Sequence, residues 1–303
     1  MHQRTDKSKA NNYDNLFKKT LTEPLEKIMS YQTIMVHLQL GHANTAVLNA
    51  AKHIAQRSNA AVIGIIVGQQ TQMIYGKGYA LIDFFDREQA QLAEKIAIEE
   101  ALFRKHFAGH VAAIEWLSVV SMEPAIDFIV AQSCRADLII TSVAPSDFYD
   151  GPNSPHAGEI VMAAGRPVLA VPVSCKNFTL DNMLIGWKDS REARRVIVDA
   201  LPLLQIAKQI TVLEIVAEDD KDNAAKRLKE VIFWLETHGV VAKPAVSIAK
   251  DADAIELLAA AKKHHADIVI TGAYGHSRFR EWVLGGVTNE LLQGAHYCCF
   301  LSH

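Results

Sequence analysis

The chain has 303 residues, of which 50% are hydrophobic and 21% charged, and its formal net charge is −3. This composition is typical of a globular protein and argues against the clustered positive charge that binds nucleic acid or an anionic membrane. The sequence contains no run of about 18 apolar residues, so it also excludes a membrane-spanning helix. We therefore predict neither nucleic acid nor a membrane as a partner.

The N-terminal segment 1–28 is mostly polar and lacks the apolar core of a signal peptide, which predicts a flexible extension. Met29 follows it and is an alternative start of translation. Beyond this point, apolar runs rich in β-branched residues alternate with helical periodicity. In the first half we predict strands at 33–38, 61–67, 113–118, 137–141 and 168–171, and helices at 45–57, 86–107 and 123–134 with a further helical segment before the last strand.

The second half repeats this alternation of strands and helices. We predict strands at 182–187, 210–216, 240–246, 267–271 and 297–301, and helices at 190–208, 220–238, 251–264 and 282–293. Strands separated by helices of this length predict right-handed crossovers and parallel sheets covered on both faces. Each half is therefore predicted to be a doubly wound, Rossmann-like α/β domain with five parallel strands, for which we adopt the order 3-2-1-4-5.

An internal repeat supports two equivalent domains. Residues 135–173 recur as 265–303, so that Arg135-Ala-Asp-Leu-Ile-Ile-Thr141 corresponds to His265-Ala-Asp-Ile-Val-Ile-Thr271. We assign residues 29–174 to the first domain and 175–303 to the second. The joint at 175–180 is too short and too poor in Gly and Ser for a long flexible linker, so the two domains are expected to pack together.

The two copies differ in the loop that follows the fourth strand. The second copy has Gly272, Gly275, Gly285 and Gly286, whereas the first has Ser142, Pro145 and Pro155 where the first three of these glycines fall. Glycine allows backbone N–H groups to approach a phosphate, while proline removes an N–H donor. We therefore predict a phosphate site in the second domain and none in the first.

Ligands of open α/β sheets bind beyond the carboxyl ends of the strands, where the strand order reverses. This places the loop after Trp187 opposite the loop after Thr271. A helix beginning near Val287 adds free N–H donors, and Thr288 adds a hydroxyl group. Further cationic or hydroxyl contacts are predicted from His276, Ser277, Arg278 and Arg280. A purely structural role of the glycines, as a tight turn and a helix entry, is the alternative.

With this loop and the repeat, the chain resembles the universal stress proteins of the tandem, two-domain type. The nucleotide-binding members have the pattern G-x2-G-x9-G-[S/T], and Gly272, Gly275 and Gly285 have that spacing. The segments 186–193 and 199–204 also resemble the start of a second domain in bacterial tandem forms. The resemblance covers residues 31–303 and implies a stress-response binding or regulatory module. It further implies a site for ATP or another adenine nucleotide, with or without Mg²⁺.

The chain departs from the nucleotide-binding members at two places. Those members have an aspartate at the end of the first strand that helps to hold the adenosine, whereas this chain has Gln39 in the first domain and Lys188 in the second. They have Ser or Thr after the last glycine, where this chain has Gly286. Lys188 favours an anion over a neutral adenosine group, and Asp189 is a candidate for the role of the missing aspartate.

Other functional classes have less support in the sequence than nucleotide binding. The sequence shows no Walker lysine, no catalytic base and no pair of metal-binding carboxylates, so we predict at most slow, incidental ATP hydrolysis. His264, His265, His296 and His303 lack zinc-type spacing, and we predict no metal site. The alternatives left open are a non-nucleotide interaction protein with both pockets closed and, less supported, an adenylate-transferring enzyme.

The cysteines do not indicate a metal site. The four cysteines, which include adjacent Cys298 and Cys299, lack metal-type spacing. We interpret the adjacent pair as small apolar residues of a strand, which fits a reducing compartment and predicts a cytoplasmic protein.

The last strand of each half, 167–173 and 297–303, is expected at a sheet edge. The resemblance implies that these edges meet within one chain as a pseudo-dimer, and a homodimer of whole chains is left open.

Overall fold

Strands and helices alternate throughout the part of the chain that the computed structural model describes, namely residues 29–70, 79–144, 155–249, 252–273 and 286–303. The predicted N-terminal extension at 1–28 lies outside these residues. The first half contains β1 Thr33–Leu38, α1 Thr45–Ser58, β2 Ala61–Gln69, α2 Tyr79–Phe107, β3 Ile114–Ser121, α3 Ala125–Gln132, β4 Leu138–Val143, α4 Ala157–Ala164 and β5 Val168–Pro172.

The second half repeats the order of strands and helices found in the first. It contains β6 Asn182–Trp187, α5 Arg191–Leu204, β7 Gln209–Val216, α6 Lys221–Thr237, β8 Lys243–Ile248, α7 Asp253–Lys263, β9 Ile268–Gly272, α8 Gly286–Gly294 and β10 Cys298–Ser302. Each half is therefore a unit of alternating strands and helices with five parallel strands. The alternation of apolar runs and helical periodicity in the sequence predicts this arrangement.

All described strands lie in one sheet of ten, in the order β3-β2-β1-β4-β5-β10-β9-β6-β7-β8. Within each half this order is 3-2-1-4-5, which confirms the predicted topology. The two halves join where β5 pairs antiparallel with β10, with Leu169 opposite Phe300 and Ala170 opposite Cys299. The last strands therefore cover each other's edges, which would otherwise be open to pairing with another chain.

Several element boundaries differ from the predicted ones, among them those of α2 and β8. Helix α2 begins at Tyr79 rather than at residue 86, because the intervening segment contains no residue that breaks a helix. Strand β8 spans Lys243–Ile248 instead of 240–246. Gly239 has a left-handed φ of +73° after α6, and buried Val240 fills the core before the strand begins. Helix α8 is described from Gly286, and the predicted start at residue 282 lies outside the described residues.

The helices cover both faces of the sheet and form two cores. The core on one face is built by α1, α2, α5 and α6, and the core on the other by α3, α4, α7 and α8. Each core contains residues of both halves, since the sheet is continuous across the β5–β10 junction. The buried strands β1, β4, β9 and β10 are almost wholly apolar because they are covered on both faces.

The repeated Ala-Asp sequence has the same structural role in both halves. Asp137 Oδ2 accepts hydrogen bonds from the backbone N–H groups of Gln32 and Thr33, at 2.7 and 3.0 Å. Asp267 Oδ2 accepts those of Asp181 and Asn182, at 2.9 and 2.8 Å. In each half, the aspartate that precedes the fourth strand thus ties down the start of the first strand.

We expect Asp267→Ala to lower the free energy of unfolding by about 2 kcal/mol, because two partly buried N–H donors lose a charged acceptor. Urea unfolding, followed by circular dichroism, measures the change. Asp219→Ala is the matched control, because Asp219 is exposed and its loss is expected to change the free energy by less than about 0.5 kcal/mol. Equal effects of the two substitutions would contradict the proposed role of Asp267.

No helix in the described ranges is both long enough and apolar enough to cross a lipid bilayer.

Candidate functional site

The carboxyl ends of β6 and β9 lie side by side, at the place where the strand order of the second half reverses. In this parallel pair Gly186 is opposite Thr271. The loop that begins at Lys188 and the loop that follows Gly272 therefore leave the sheet at the same edge. We call this edge of the sheet, together with the start of α8, the second-half cleft.

The structure describes six of the residues predicted for this cleft: Lys188, Asp189, Gly272, Gly286, Val287 and Thr288. It places the first three at the ends of β6 and β9 and the other three at the start of α8. The remaining predicted residues, Gly275, His276, Ser277, Arg278 and Gly285, lie outside the described residues, as does Arg280. The middle of the glycine loop therefore stays a prediction from the sequence.

Gly272 packs directly against the first turn of α5. A Cβ atom at this position would lie 2.6 Å from the carbonyl carbon of Glu192 and 2.8 Å from the backbone nitrogen of Ala193. Both atoms belong to the helix backbone and cannot rotate away. Helix packing is thus a sufficient reason for glycine at 272, and contact of this residue with phosphate stays a prediction. The next N–H group, that of Ala273, donates to Ser302 O at 2.8 Å.

Helix α8 supplies a helix N-terminus to the cleft. It begins at Gly286, and Val287 packs against the core that α3, α4, α7 and α8 form. Thr288 lies in the first turn and is only 3% exposed. The first N–H groups of a helix have no partner within the helix and carry partial positive charge. This end of α8 can therefore bind an anion, with the Thr288 hydroxyl as an additional hydrogen-bonding group.

Lys188 and Asp189 form the opposite side of the cleft and point toward different neighbours. Asp189 Oδ1 accepts a hydrogen bond from Arg194 of α5. Lys188 Nζ lies 4.0 Å from Asp253 Oδ2, at the first residue of α7. All four side chains are more than half exposed, so these ion pairs contribute little to stability and can rearrange around a ligand.

The first turn of α5 is capped by its own side chains. Ser190 Oγ accepts a hydrogen bond from the N–H group of Ala193 at 3.2 Å. The buried Glu192 carboxylate accepts from its own backbone N–H and is also bonded to Ser190 and Arg191, and these contacts lower its pKa. A negative charge of the chain itself thus lies at the N-terminus of α5, close to Gly272. This end of α5 does not favour a second anion.

The equivalent edge of the first half is bridged by side-chain hydrogen bonds around Gln39. Ser142 Oγ donates to Gln39 Oε1 at 2.9 Å and so connects the ends of β4 and β1. Asn44 Oδ1 accepts from Gln39 N, while Asn44 Nδ2 donates to Gln39 O and to Glu99 Oε2. The residues at the corresponding positions of the second half are Lys188 and Gly272. Glycine has no side chain with which to make such a closing contact.

Two residues that the sequence analysis missed lie beside the second-half cleft. Trp187 of β6 is paired in register with Glu214 of β7, and both lie near the carboxyl ends of their strands. Arg227 donates to Glu214 Oε1 at 2.8 Å. Within the described part of the chain, Glu214 Oε2 and Trp187 Nε1 are buried without a hydrogen-bond partner. Buried polar atoms without a partner are rare and costly, so they are candidates for contact with a ligand or a water molecule.

A signal for Glu214 is present in the sequence. It is the one charged residue within the run Ile-Thr-Val-Leu-Glu-Ile-Val at 210–216, which predicts a buried strand. A charge in such a run is expected to be paired. The partner, Arg227, follows thirteen residues later on α6, and only the packing of α6 on the sheet shows that the two meet.

The described residues contain no group of three or more His, Cys, Asp or Glu side chains that could hold a metal ion. The His303 imidazole Nδ1 lies 3.1 Å from Ala273 O, next to the second-half cleft.

Comparisons with known proteins identify the fold. No family model matches the sequence, and no curated protein matches it. Among the solved structures that match the chain, three cover about 90% of it. A universal stress protein from Archaeoglobus fulgidus DSM 4304 has a TM-score of 0.70 and 14% identity, and the match covers 89% of this chain and 97% of that one.

The other two structures are from Pseudomonas aeruginosa. A putative universal stress protein from strain UCBPP-PA14 has a TM-score of 0.57 and 15% identity, with 90% of this chain and 93% of that chain covered. A functionally unknown protein from strain PAO1 has a TM-score of 0.55 and 15% identity, with 90% and 92% covered. The chain therefore has the universal stress protein fold over nearly its whole length, as its glycine spacing and internal repeat predict.

Proposed function

We propose that this protein is a cytoplasmic stress-response binding module whose second half binds ATP or another adenine nucleotide. The observation that carries the proposal is the difference between the two equivalent clefts. In the first half, the Ser142–Gln39 hydrogen bond bridges the carboxyl ends of β1 and β4. In the second half, Gly272 and Lys188 take these positions, and glycine cannot make the closing contact.

The residues of the second-half cleft suit the parts of a nucleotide. The first N–H groups of α8, at Gly286 and Val287, would bind phosphate oxygens together with the Thr288 hydroxyl. Lys188 would add a positive charge to the same end of the ligand. Trp187 and Glu214 offer a buried donor and a buried acceptor, which suit the ring nitrogens and the amino group of an adenine base.

An interaction protein with a closed second-half cleft is the competing function, and Glu192 favours it. The Glu192 carboxylate occupies the N-terminus of α5 next to Gly272, and its negative charge opposes an anion there. Because the proposed phosphate position is at α8 rather than α5, measured binding decides between the two functions. We propose no efficient catalysis, because no Walker lysine accompanies the cleft among the described residues.

The test is equilibrium binding of labelled ATP to the full chain, with and without Mg²⁺. We expect saturable binding, and we expect Thr288→Val to weaken it about tenfold, since the loss of one hydrogen bond to a charged group costs about 1.5 kcal/mol or more. Thr45→Val is the matched control, because Thr45 begins α1 in the first half and is exposed. This control is expected to bind ATP as the unchanged chain does.

One result would decide against nucleotide binding, and another against the proposed position of the phosphates. If the full chain shows no saturable binding at millimolar ATP, the closed interaction protein is the better account. If ATP binds but Thr288→Val and Thr45→Val weaken it equally, the nucleotide does not contact the start of α8. In a further variant, Gln39→Ala with Ser142→Gly, any gain of a second ATP site would show that side-chain closure alone separates the two halves.

A further inference from the structure

Cys175 and Cys298 approach each other closely across the joint between the two halves. Their Sγ atoms lie 4.0 Å apart, and both thiols are free. Cys298 begins β10 and is buried, whereas Cys175 lies in the turn after β5 and is half-buried. The Cys175 N–H group donates to Pro172 O at 2.9 Å and so holds the turn against the end of β5.

The adjacent pair Cys298 and Cys299, by contrast, has no geometry for a disulfide. The two residues are neighbours on one strand, so their side chains point to opposite faces of the sheet. Cys298 belongs to the core that contains α1 and α5, and Cys299 belongs to the core on the other face. The partner of Cys298 is therefore a residue 123 positions away in the sequence.

We infer that Cys175 and Cys298 are a modification site, a thiol pair that a hydroperoxide such as hydrogen peroxide oxidises to a disulfide. In a disulfide the sulfur atoms are about 2 Å apart, so they must come closer by about 2 Å. Cys175 can make this movement because it lies in a turn and not in a helix or strand. Its partial exposure also gives a small peroxide access to its sulfur atom.

The environment of the pair assigns a different role to each thiol. The Cys298 thiol donates a hydrogen bond to Cys175 Sγ, which lowers the pKa of Cys175 to about 7. The same hydrogen bond, together with burial, raises the pKa of Cys298. Since the thiolate is the reactive form, Cys175 is the thiol that attacks the peroxide and Cys298 is the thiol that resolves the product.

The reaction has two steps. In the first, the Cys175 thiolate attacks one peroxide oxygen, an S–O bond forms, the O–O bond breaks, and hydroxide leaves and is protonated to water. In the second, the Cys298 sulfur attacks the Cys175 sulfur, the S–S bond forms, the S–O bond breaks, and hydroxide leaves with the thiol proton as a second water. The two thiols lose two electrons in total, which reduce the peroxide to water.

The test is treatment of the full chain with hydrogen peroxide, followed by digestion without reductant and mass spectrometry. We expect a cross-linked peptide that contains Cys175 and Cys298, with a mass about 2 Da below the sum of its parts, and its loss on reduction. Cys175→Ser and Cys298→Ser are expected to abolish the cross-link. In Cys298→Ser, a sulfenic acid reagent is expected to label Cys175.

Two matched variants keep the inference falsifiable. Cys299→Ser removes the other buried thiol of β10, and Cys134→Ser removes the exposed thiol that could pair between molecules. Both are expected to form the intramolecular cross-link to the same extent as the unchanged chain. The inference is overturned if Cys175 is oxidised to sulfinic acid without a cross-link, if it pairs with Cys299 or Cys134 instead, or if neither thiol reacts.

Discussion

Phe300→Ala is expected to lower the free energy of unfolding by about 3–5 kcal/mol, the usual cost of removing a fully buried aromatic ring. Phe300 is 0% exposed and lies on β10, which pairs with strands of both halves. Its neighbours in register are Leu169 of β5 and Ile270 of β9. A cavity at this position therefore weakens the core at the junction of the two halves.

The loss is measured as a shift of the urea midpoint at constant slope, by circular dichroism and tryptophan fluorescence. Phe233→Ala is the matched control, since Phe233 is 52% exposed on α6 and its removal leaves no cavity. Its effect is expected to stay below about 1 kcal/mol. A comparable loss in both variants would mean that the β5–β10 junction does not depend on the Phe300 ring.

Gly272→Val has the second large expected effect, a loss of about 3 kcal/mol or more. The added Cβ would lie 2.6 Å from the carbonyl carbon of Glu192, which is a backbone atom of α5. Relief requires α5 to move away from β9, and both belong to the buried core. Overpacking of this kind usually costs about 1–3 kcal/mol, and contact with backbone atoms of α5, which cannot rotate away, places this case at the upper end.

Gly186→Ala is the matched control for Gly272→Val. Gly186 lies on the adjacent strand β6, and a Cβ there would be 3.3 Å from Leu257 Cδ1, the end of a flexible side chain. We expect a change of less than about 1 kcal/mol for this substitution. Should Gly272→Val unfold at the same urea concentration as the unchanged chain, α5 does not pack on β9 as closely as described.

Gly272→Val also separates stability from ligand binding. A loss of stability without a change in ATP affinity at low temperature would assign Gly272 to helix packing alone. A loss of ATP affinity in a variant that remains folded would show that the residue also admits phosphate. Measuring stability and ATP affinity together tests whether the glycines have a purely structural role.

The sheet topology could be predicted from the sequence because it follows from local patterns. Apolar strands alternate with helices long enough for a crossover, and right-handed crossovers leave few topologies. The duplicated aspartates Asp137 and Asp267 indicate a repeat, and in the structure each accepts hydrogen bonds from the start of the first strand of its half. Boundaries were less predictable, as β8 shows, because Gly239 and Val240 are placed by packing rather than by propensity.

The second-half cleft was only partly predictable. The glycines and Thr288 indicate the loop and the start of α8 in the sequence. This is possible because the ability of a glycine or a helix N-terminus to bind an anion depends on few neighbouring residues. The contact of Gly272 with α5 and the pairing of Glu214 with Arg227 join residues far apart in the sequence. No local pattern contains these distances.

The duplicated, doubly wound α/β organisation and the glycine loop of the second half follow from the sequence alone, because repeat, periodicity and residue type act over short stretches. The antiparallel register of β5 on β10 and the hydrogen bond from Ser142 to Gln39 follow only from the packing of the whole chain. The same packing brings Cys175 to within 4.0 Å of Cys298. Such contacts depend on how helices and strands from distant parts of the chain pack together, and that packing is a property of the whole fold.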